Sequence, residues 1–292
     1  MELHPHLSTL DQKNVVLFLG FGYTAQYLAM LLEKENWHYV SLSSRNKAEL
    51  DADMLHKITH IVVTAPPDGN QDPVLNLYRD VIIEKGENLK WLGYLSATSV
   101  YGNHDGHCVT EISACHPTSE RGKNRLAVEH LWQTLATEYH IPVHIFRLAG
   151  IYGANRNSIN HVRFSQTVNI IKQGHLTNRI YVKDIARAVF ASMNNPTPQE
   201  IFNLADDMPA STAAVNDYIA FLLDKPLLQK IAYDDCVHRL SEMRKSFYHD
   251  SKIVSNQKIK EMLNFTLQFP NYRDGIKDIL DVELMSHTEK IH

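Results

Sequence analysis

Apolar positions in this chain come in short unbroken bursts, separated by stretches whose apolar residues recur with helical period. The first burst, VVLFLG within Asn14–Gly20, predicts a strand covered on both faces. Thr24–Glu33 follows, with Leu28, Leu31 and Leu32 on one helical face. Tyr39–Leu42 and Thr59–Thr64 repeat the strand pattern, the second closed by Ala65, Pro66 and Pro67. Asp72–Gly86 reads as helix, Trp91–Leu95 as strand, His116 and Pro117 as a turn, and Glu120–His140 as a long helix. Pro142 breaks that helix, and Val143–Leu148 (VHIFRL) is the next strand. Strands alternating with helices of about 10–20 residues predict an α/β fold, a doubly wound parallel sheet of about seven strands.

The rhythm changes after Gly150. Ile151–His161 is a polar loop holding Asn155, Asn157 and Asn160. Val162–Gly174 reads as a helix ending on glycine, Arg179–Val182 as extended, Asp184–Met193 as a helix and Ile201–Ala205 as the last sheet strand. Helices then dominate: Thr212–Leu223, Asp234–Met243, Asn256–Leu263 and Tyr272–Leu280. The expected organisation is a loose tail over residues 1–13 and a core over 14–150, completed by roughly 179–205. A small, mostly helical lobe over 151–178 and 206–285 forms the substrate side.

Composition narrows the function classes. The net charge of −4 gives no strong pull toward nucleic acid or an anionic membrane. No apolar run approaches the roughly 20 residues that span a bilayer. The opening MELHPHLSTLDQKN is polar, with acids where a signal peptide wants positive charge, so a cytoplasmic protein is expected. Cys108, Cys115 and Cys236 are sparse and unpatterned, which suggests reduced thiols. The histidines are scattered; His104 and His107 with Cys108 form the closest cluster, without metal-ligand spacing, and no metal site is expected.

The segment Leu19–Ala25 reads LGFGYTA and fits GxGxxA between a strand and a helix. Gly20 permits the tight turn, Gly22 lets a pyrophosphate approach the backbone, and Ala25 packs helix against strand. The helix N-terminus supplies free N–H groups for phosphate, and Thr24 adds a hydroxyl. The core is therefore expected to be a Rossmann-type dinucleotide-binding unit, with Gly20, Gly22, Tyr23, Thr24 and Ala25 facing the cofactor. The second strand ends in Ser43, Ser44 and Arg45. No carboxylate is there to repel a 2′-phosphate, and a guanidinium is there to bind one, so NADP(H) is favoured over NAD(H).

The motifs GFGYTA, VVTAPP, SATSVYG, RGKNRLAVEH, FRLAGIYG, NRIYVKDIA and IFNLADD fall in a familiar order and spacing. Over Val15 to Ile279 the chain resembles an atypical member of the extended short-chain dehydrogenase/reductase superfamily, in its NAD(P)-dependent epimerase/dehydratase branch. The resemblance implies further cofactor contacts at Ala65, Pro66, Ser96, Ala97, Arg125, Ala149 and Gly150, and substrate contacts at Tyr101 and Arg179. It also implies a homodimer through the Glu120–His140 helix. In the family a Ser or Thr, a Tyr and a Lys carry the chemistry; here those positions read Ala97, Arg121 and Arg125. Arg121 cannot exchange a proton near neutral pH, and Ala97 has no hydroxyl. Arg125 keeps the positive charge of the Lys, and with Arg121 one turn away it makes an anion-binding pair. The other reading has both arginines paired with Glu120, Glu129 or Glu111 at a solvated rim. Ser96, Thr98, Tyr101 or a water are candidate substitutes for the lost acid, although Ser96 and Thr98 turn away from the face of Ala97 unless the strand ends there. Arg121, Arg125 and Thr98 are thus the catalytic candidates. Met243, Phe247 and Tyr248 suit either lobe packing or a pocket wall.

Two functional classes follow. One is an NADP(H)-dependent epimerase, dehydratase or oxidoreductase acting on a small or nucleotide-sugar-like substrate with an unusual acid or base. The other is a non-catalytic NADP(H)-binding sensor or partner-binding protein, favoured by the changes at all three catalytic positions.

Overall fold

The computed structural model describes residues 14–42, 52–165 and 167–288. Ser43, Ser44 and Arg45 lie outside them. The first half of the chain alternates strand and helix: β1 (Val15–Leu19), α1 (Tyr23–Lys34), β2 (His38–Leu42), α2 (Ala52–Lys57), β3 (His60–Val63), α3 (Pro73–Lys85), β4 (Trp91–Ala97), a 3-10 turn (Thr98–Tyr101), β5 (Cys108–Val109), α4 (Glu120–Tyr139) and β6 (Val143–Leu148). Then come β7 (Gly150–Tyr152), α5 (Ile159–Arg163), β8 (Asn169–Ile171), β9 (Arg179–Tyr181), α6 (Val182–Met193) and β10 (Gln199–Leu204). The last part holds α7 (Thr212–Leu222), β11 (Lys230–Ala232), α8 (Tyr233–Cys236), α9 (Glu242–His249), β12 (Ile253–Val254), α10 (Gln257–Met262) and α11 (Tyr272–Thr288).

Local chemistry fixes the boundaries. Asp72 caps α3 by accepting from the N–H groups of Val74 and Leu75, with Pro73 at the first helical position where its missing N–H costs nothing. Ser119 caps α4 by accepting from Gly122 N, and His140 ends it in the left-handed region.

The main sheet is parallel, in the order β10-β6-β4-β3-β1-β2. Leu17 of β1 stands between Val40 and Ile61, and Tyr94 of β4 between Val63 and Ile145. Alternate strand residues feed two apolar clusters, one on each face of the sheet. A third gathers Tyr152, Tyr181, Ile219, Tyr272 and Ile276 among the elements after Gly150.

Three expectations need correction. Among the described residues the main sheet has six strands, against the about seven expected, because Arg179–Tyr181 pairs with Gly150–Tyr152 beside it. Gly150 lets the carbonyl of Asn178 come within 3.2 Å of where a Cβ would stand, and its N–H donates to that carbonyl. The helix expected over Val162–Gly174 stops at Arg163, Ser165 adopts a left-handed φ of 52°, and β8 pairs with β11. The helix expected over Asp234–Met243 is broken into α8, a 3-10 turn (Val237–Arg239) and α9, since Ser241 caps a new helix by accepting from Arg244 N. Among the described residues no helix is long and apolar enough to cross a membrane.

Candidate functional site

The carboxyl ends of β1, β3, β4 and β6 face a cleft of about 910 Å³, whose opposite wall includes Asn178, Phe247, Asp250 and Lys252. At one end stands the loop between β1 and α1. Gly20 has φ +95°, and a Cβ there would lie 2.8 Å from Ala65 N and from Thr64 Oγ1. Only glycine meets both demands. Gly22 differs: a Cβ there would meet nothing within 4 Å, so the cleft itself occupies that space. No side chain caps α1 and its first turn carries no acid, so its leading N–H groups are left for an anion. Tyr23 and Thr24 line the cleft beside Gly22, and Ala25 is buried against the sheet. The Tyr23 hydroxyl donates to Ala154 O at 2.8 Å, and burial pushes its pKa up. Ala65 and Pro66 do not line the cleft; Thr64, whose hydroxyl donates to Gly20 O, does.

The floor is the end of β4 with the start of α4. Ala97, Thr98, Arg121 and Arg125 all line it. β4 ends at Ala97 and turns into the 3-10 segment, which brings Thr98 to the same cleft. The arginines share a helix face but not an environment. Arg121 is exposed and makes no bond with the described residues. Arg125 is 8% exposed; its Nη1 donates to Leu95 O at 2.7 Å and to Tyr94 Oη at 3.2 Å. The Nε of Arg125 is buried without a partner, an unmet donor in the wall of the cleft. Neither arginine pairs with the acids expected to hold it. Glu120 takes Lys123, Glu129 takes Arg147 at 2.8 Å, and Glu111 accepts from Asn203 N.

Two expected site residues sit deeper. Ser96 borders the cleft but is buried, and its hydroxyl donates to Glu129. Tyr101 is fully buried and does not line the cleft. Its hydroxyl donates to Asn203 Oδ1 at 2.7 Å and accepts from Arg147 at 3.0 Å, and burial holds its pKa at about 12. Ala149 and Gly150 line the cleft as they leave β6.

A second cavity of about 360 Å³ adjoins the first, sharing Gly150, Arg156 and Phe247 among its walls. Arg179 faces this cavity, donating to Thr177 O and Ala210 O. Phe247 borders both cavities, whereas Tyr248 is buried against His175. The side chain of Met243 lies outside the described residues.

Lys252 and Arg156 escaped the sequence reading. Arg156 is exposed, lies over the Tyr23 ring and lines both cavities. Lys252 is 10% exposed, and its Nζ donates to Gly102 O at 2.8 Å. Burial pushes its pKa down, against the opposing charge of Asp250. No local sequence signal marks it, since its partner Gly102 lies 150 residues away.

The uncapped α1, the open space at Gly22 and the unmet donor of Arg125 together fit a dinucleotide along this cleft. The family model for the NAD-dependent epimerase/dehydratase family matches residues 75–205. No curated protein matches the sequence. Among solved structures, a functionally unknown conserved protein from Silicibacter pomeroyi DSS is 35% identical with a TM-score of 0.85, over 92% of this chain and 99% of that one. MoeE5 in complex with UDP-glucose and NAD is 18% identical with a TM-score of 0.72, over 94% and 99%. UDP-N-acetylglucosamine 4-epimerase from Bacillus cereus is 17% identical with a TM-score of 0.71, over 92% and 98%. At such identities the last two likenesses show the fold alone. With the family model, the full-length relative and the topology in agreement, the chain belongs to the NAD-dependent epimerase/dehydratase family.

Proposed function

We propose that this chain is an NADP(H)-dependent oxidoreductase of the epimerase/dehydratase type, acting on a carbonyl or hydroxyl of a small or nucleotide-sugar-like ligand. The observation that carries the reading is the cleft, which joins a phosphate-ready helix terminus at Gly22 to the unmet Arg125 donor. The cofactor, when bound, supplies or takes up hydride. The chain does the holding: the backbone at Gly22, Tyr23 and Thr24 would take the phosphates, Arg125 would meet a ribose hydroxyl or phosphate oxygen, and Ala97, Ala149 and Gly150 would lie toward the nicotinamide. Arg121 stands free at the mouth for an anionic substrate group, and Arg179 in the adjoining cavity is a second phosphate contact. The complexes of MoeE5 with UDP-glucose and NAD make nucleotide sugars the first ligands to try. A homodimer through α4 belongs to the same reading.

Preference for the 2′-phosphate rests on Ser43, Ser44 and Arg45. A charge-assisted contact of that kind contributes roughly 1.5–3 kcal/mol. Titration calorimetry is expected to show NADPH binding more tightly than NADH, with Arg45→Ala weakening NADPH at least tenfold and leaving NADH nearly unchanged. Equal affinities in the parent protein sink the preference.

The second reading, a non-catalytic NADP(H) sensor, draws on Ala97 and Arg121. Following NADPH absorbance against a panel of carbonyl compounds separates the two: turnover supports the enzyme, and tight binding without turnover the sensor.

A further inference from the structure

The groups along the cleft that can exchange a proton near neutral pH are few. Arg121, Arg125 and Arg156 do not titrate there. Glu120 and Glu242 are 80% and 89% exposed and face their own helical neighbours Lys123 and Lys245. The Tyr23 proton is committed to Ala154 O. Asp250 accepts from Thr118 Oγ1 at 2.7 Å, with His249 at 3.6 Å. There remains Lys252. Of its three N–H groups one goes to Gly102 O, and the nearer Asp250 oxygen is 3.9 Å away, beyond hydrogen-bond distance.

Its position is well determined. Gly102 closes the 3-10 turn that begins one residue after Ala97. Thr118, which binds Asp250, lies just ahead of the α4 turn that carries Arg121. The Lys252 carbonyl accepts from Asn178 Nδ2, Ser251 N donates to Asn103, and β12 pairs with β5. An ammonium is thus held by the Gly102 carbonyl on a residue that lines the same cleft as Ala97 and Arg121.

We propose that Lys252 is the proton-exchanging residue of this cleft, its ammonium donating to the ligand oxygen and its amine taking the proton back in the reverse direction. The proposal rests on the oxidoreductase reading above. As a carbonyl carbon gains hydride from a reduced nicotinamide, the C=O π pair moves to oxygen. One N–H bond of Lys252 breaks, the O–H bond forms, and a neutral amine remains, to be reprotonated by solvent at the cleft mouth. Burial favours that neutral amine, bringing the group toward the range in which general acids operate. The charges facing it set its poise. Asp250 holds the proton on, and His175, when protonated, pushes it off.

Two measurements test this. The first uses the unaltered protein: pulse acetylation across pH 6–11, read at Lys252 by peptide mass spectrometry with the exposed Lys57 and Lys277 as references. Lys252 is expected to titrate below the references, because burial disfavours its charged form, and NADPH with a substrate analogue is expected to suppress its labelling. A midpoint equal to theirs overturns the proposal, whatever the variants do. The second compares Lys252→Met and Lys252→Arg on whichever carbonyl the parent reduces. Arginine keeps the charge and the grip on Gly102 but cannot give up its proton. Both variants are expected to lose kcat about 10²–10⁴-fold, to lose the pH dependence of the parent, and to keep the parent's affinity for NADPH within about threefold. Recovery of kcat in Lys252→Arg, or an unchanged pH profile in Lys252→Met, overturns the assignment while leaving the oxidoreductase reading intact. A parent that binds NADPH and reduces no carbonyl at any pH overturns both.

Discussion

Asp206 is 2% exposed, and its Oδ2 is buried without a hydrogen-bond partner while Oδ1 accepts from Met208 N. Burial pushes its pKa up to about 7, with the Arg179 guanidinium pulling the other way. A carboxyl whose folded pKa lies above its ordinary value favours the fold while protonated. Its contribution is complete below about pH 4 and is lost as the pH rises through about 7. Asp206→Asn keeps an acceptor for Met208 and removes the titration. It is expected to melt near the parent at pH 4 and above it at pH 8, by about 2 kcal/mol or roughly 4–8 °C. Calorimetry at the two pH values checks this, and a gap that does not widen with pH rules it out. Residue identity alone told little about such groups. Tyr101, a candidate substrate contact after SATSV that could equally pack under the following loop, is in the core, because its partners Asn203 and Arg147 come from strands far along the chain. Lys252 was silent for the same reason: its bond to Gly102 spans 150 residues.

At the level of elements, the β1–α1 turn separates two uses of glycine. Gly20 is needed by the backbone, since an L side chain at φ +95° is strained and its Cβ would strike Ala65 and Thr64. Gly22 has φ −89°, which any residue adopts, and an empty volume where the Cβ would go. Gly20→Ala is therefore expected to lower stability by about 2 kcal/mol or more. Gly22→Ala is expected to change stability by less than about 1 kcal/mol while weakening NADPH at least tenfold, because the methyl stands where the pyrophosphate would approach. Thermal melts and calorimetric titrations of both variants read the difference; a Gly22→Ala protein with parental NADPH affinity would show that the phosphates lie elsewhere. This turn was legible in the sequence because its signals are local: an apolar strand, a glycine pair and a helical stripe. The same holds for α4, expected over Glu120–His140 and found over Glu120–Tyr139. It fails for residues 162–174, where the strand Asn169–Ile171 exists only by pairing with Lys230–Ala232, and no local pattern announces a partner that distant.

Across the whole molecule, a buried polar chain runs beneath the cleft. Ser96 donates to Glu129, Glu129 is paired with Arg147, and Arg147 donates to Tyr101 and to the Glu111 carbonyl. Tyr101 reaches Asn203 of β10, whose amide donates to Ser255 O near the C-terminal elements. The chain locks α4, β4, β6 and β10 together. Ala97 and Arg121 take no part in it: one has no polar side-chain atom, and the other is exposed and unbonded among the described residues. Ala97→Ser with Arg121→Tyr is therefore expected to fold as the parent does, with a melting temperature within about 3 °C. Scanning calorimetry of the double variant checks this, and a larger drop would tie those positions to the fold.

That separation bears on how such a chain could change its trade. Where the reacting positions also brace the scaffold, each step toward a new reaction risks the fold, and few steps survive. Here the bracing is one layer down, carried by Glu129 and Arg147. The surface above them can drift while the vessel keeps its shape. For anyone wishing to install an unfamiliar reaction, positions 97, 98 and 121 are the ones to randomise, and 129 and 147 the ones to leave alone.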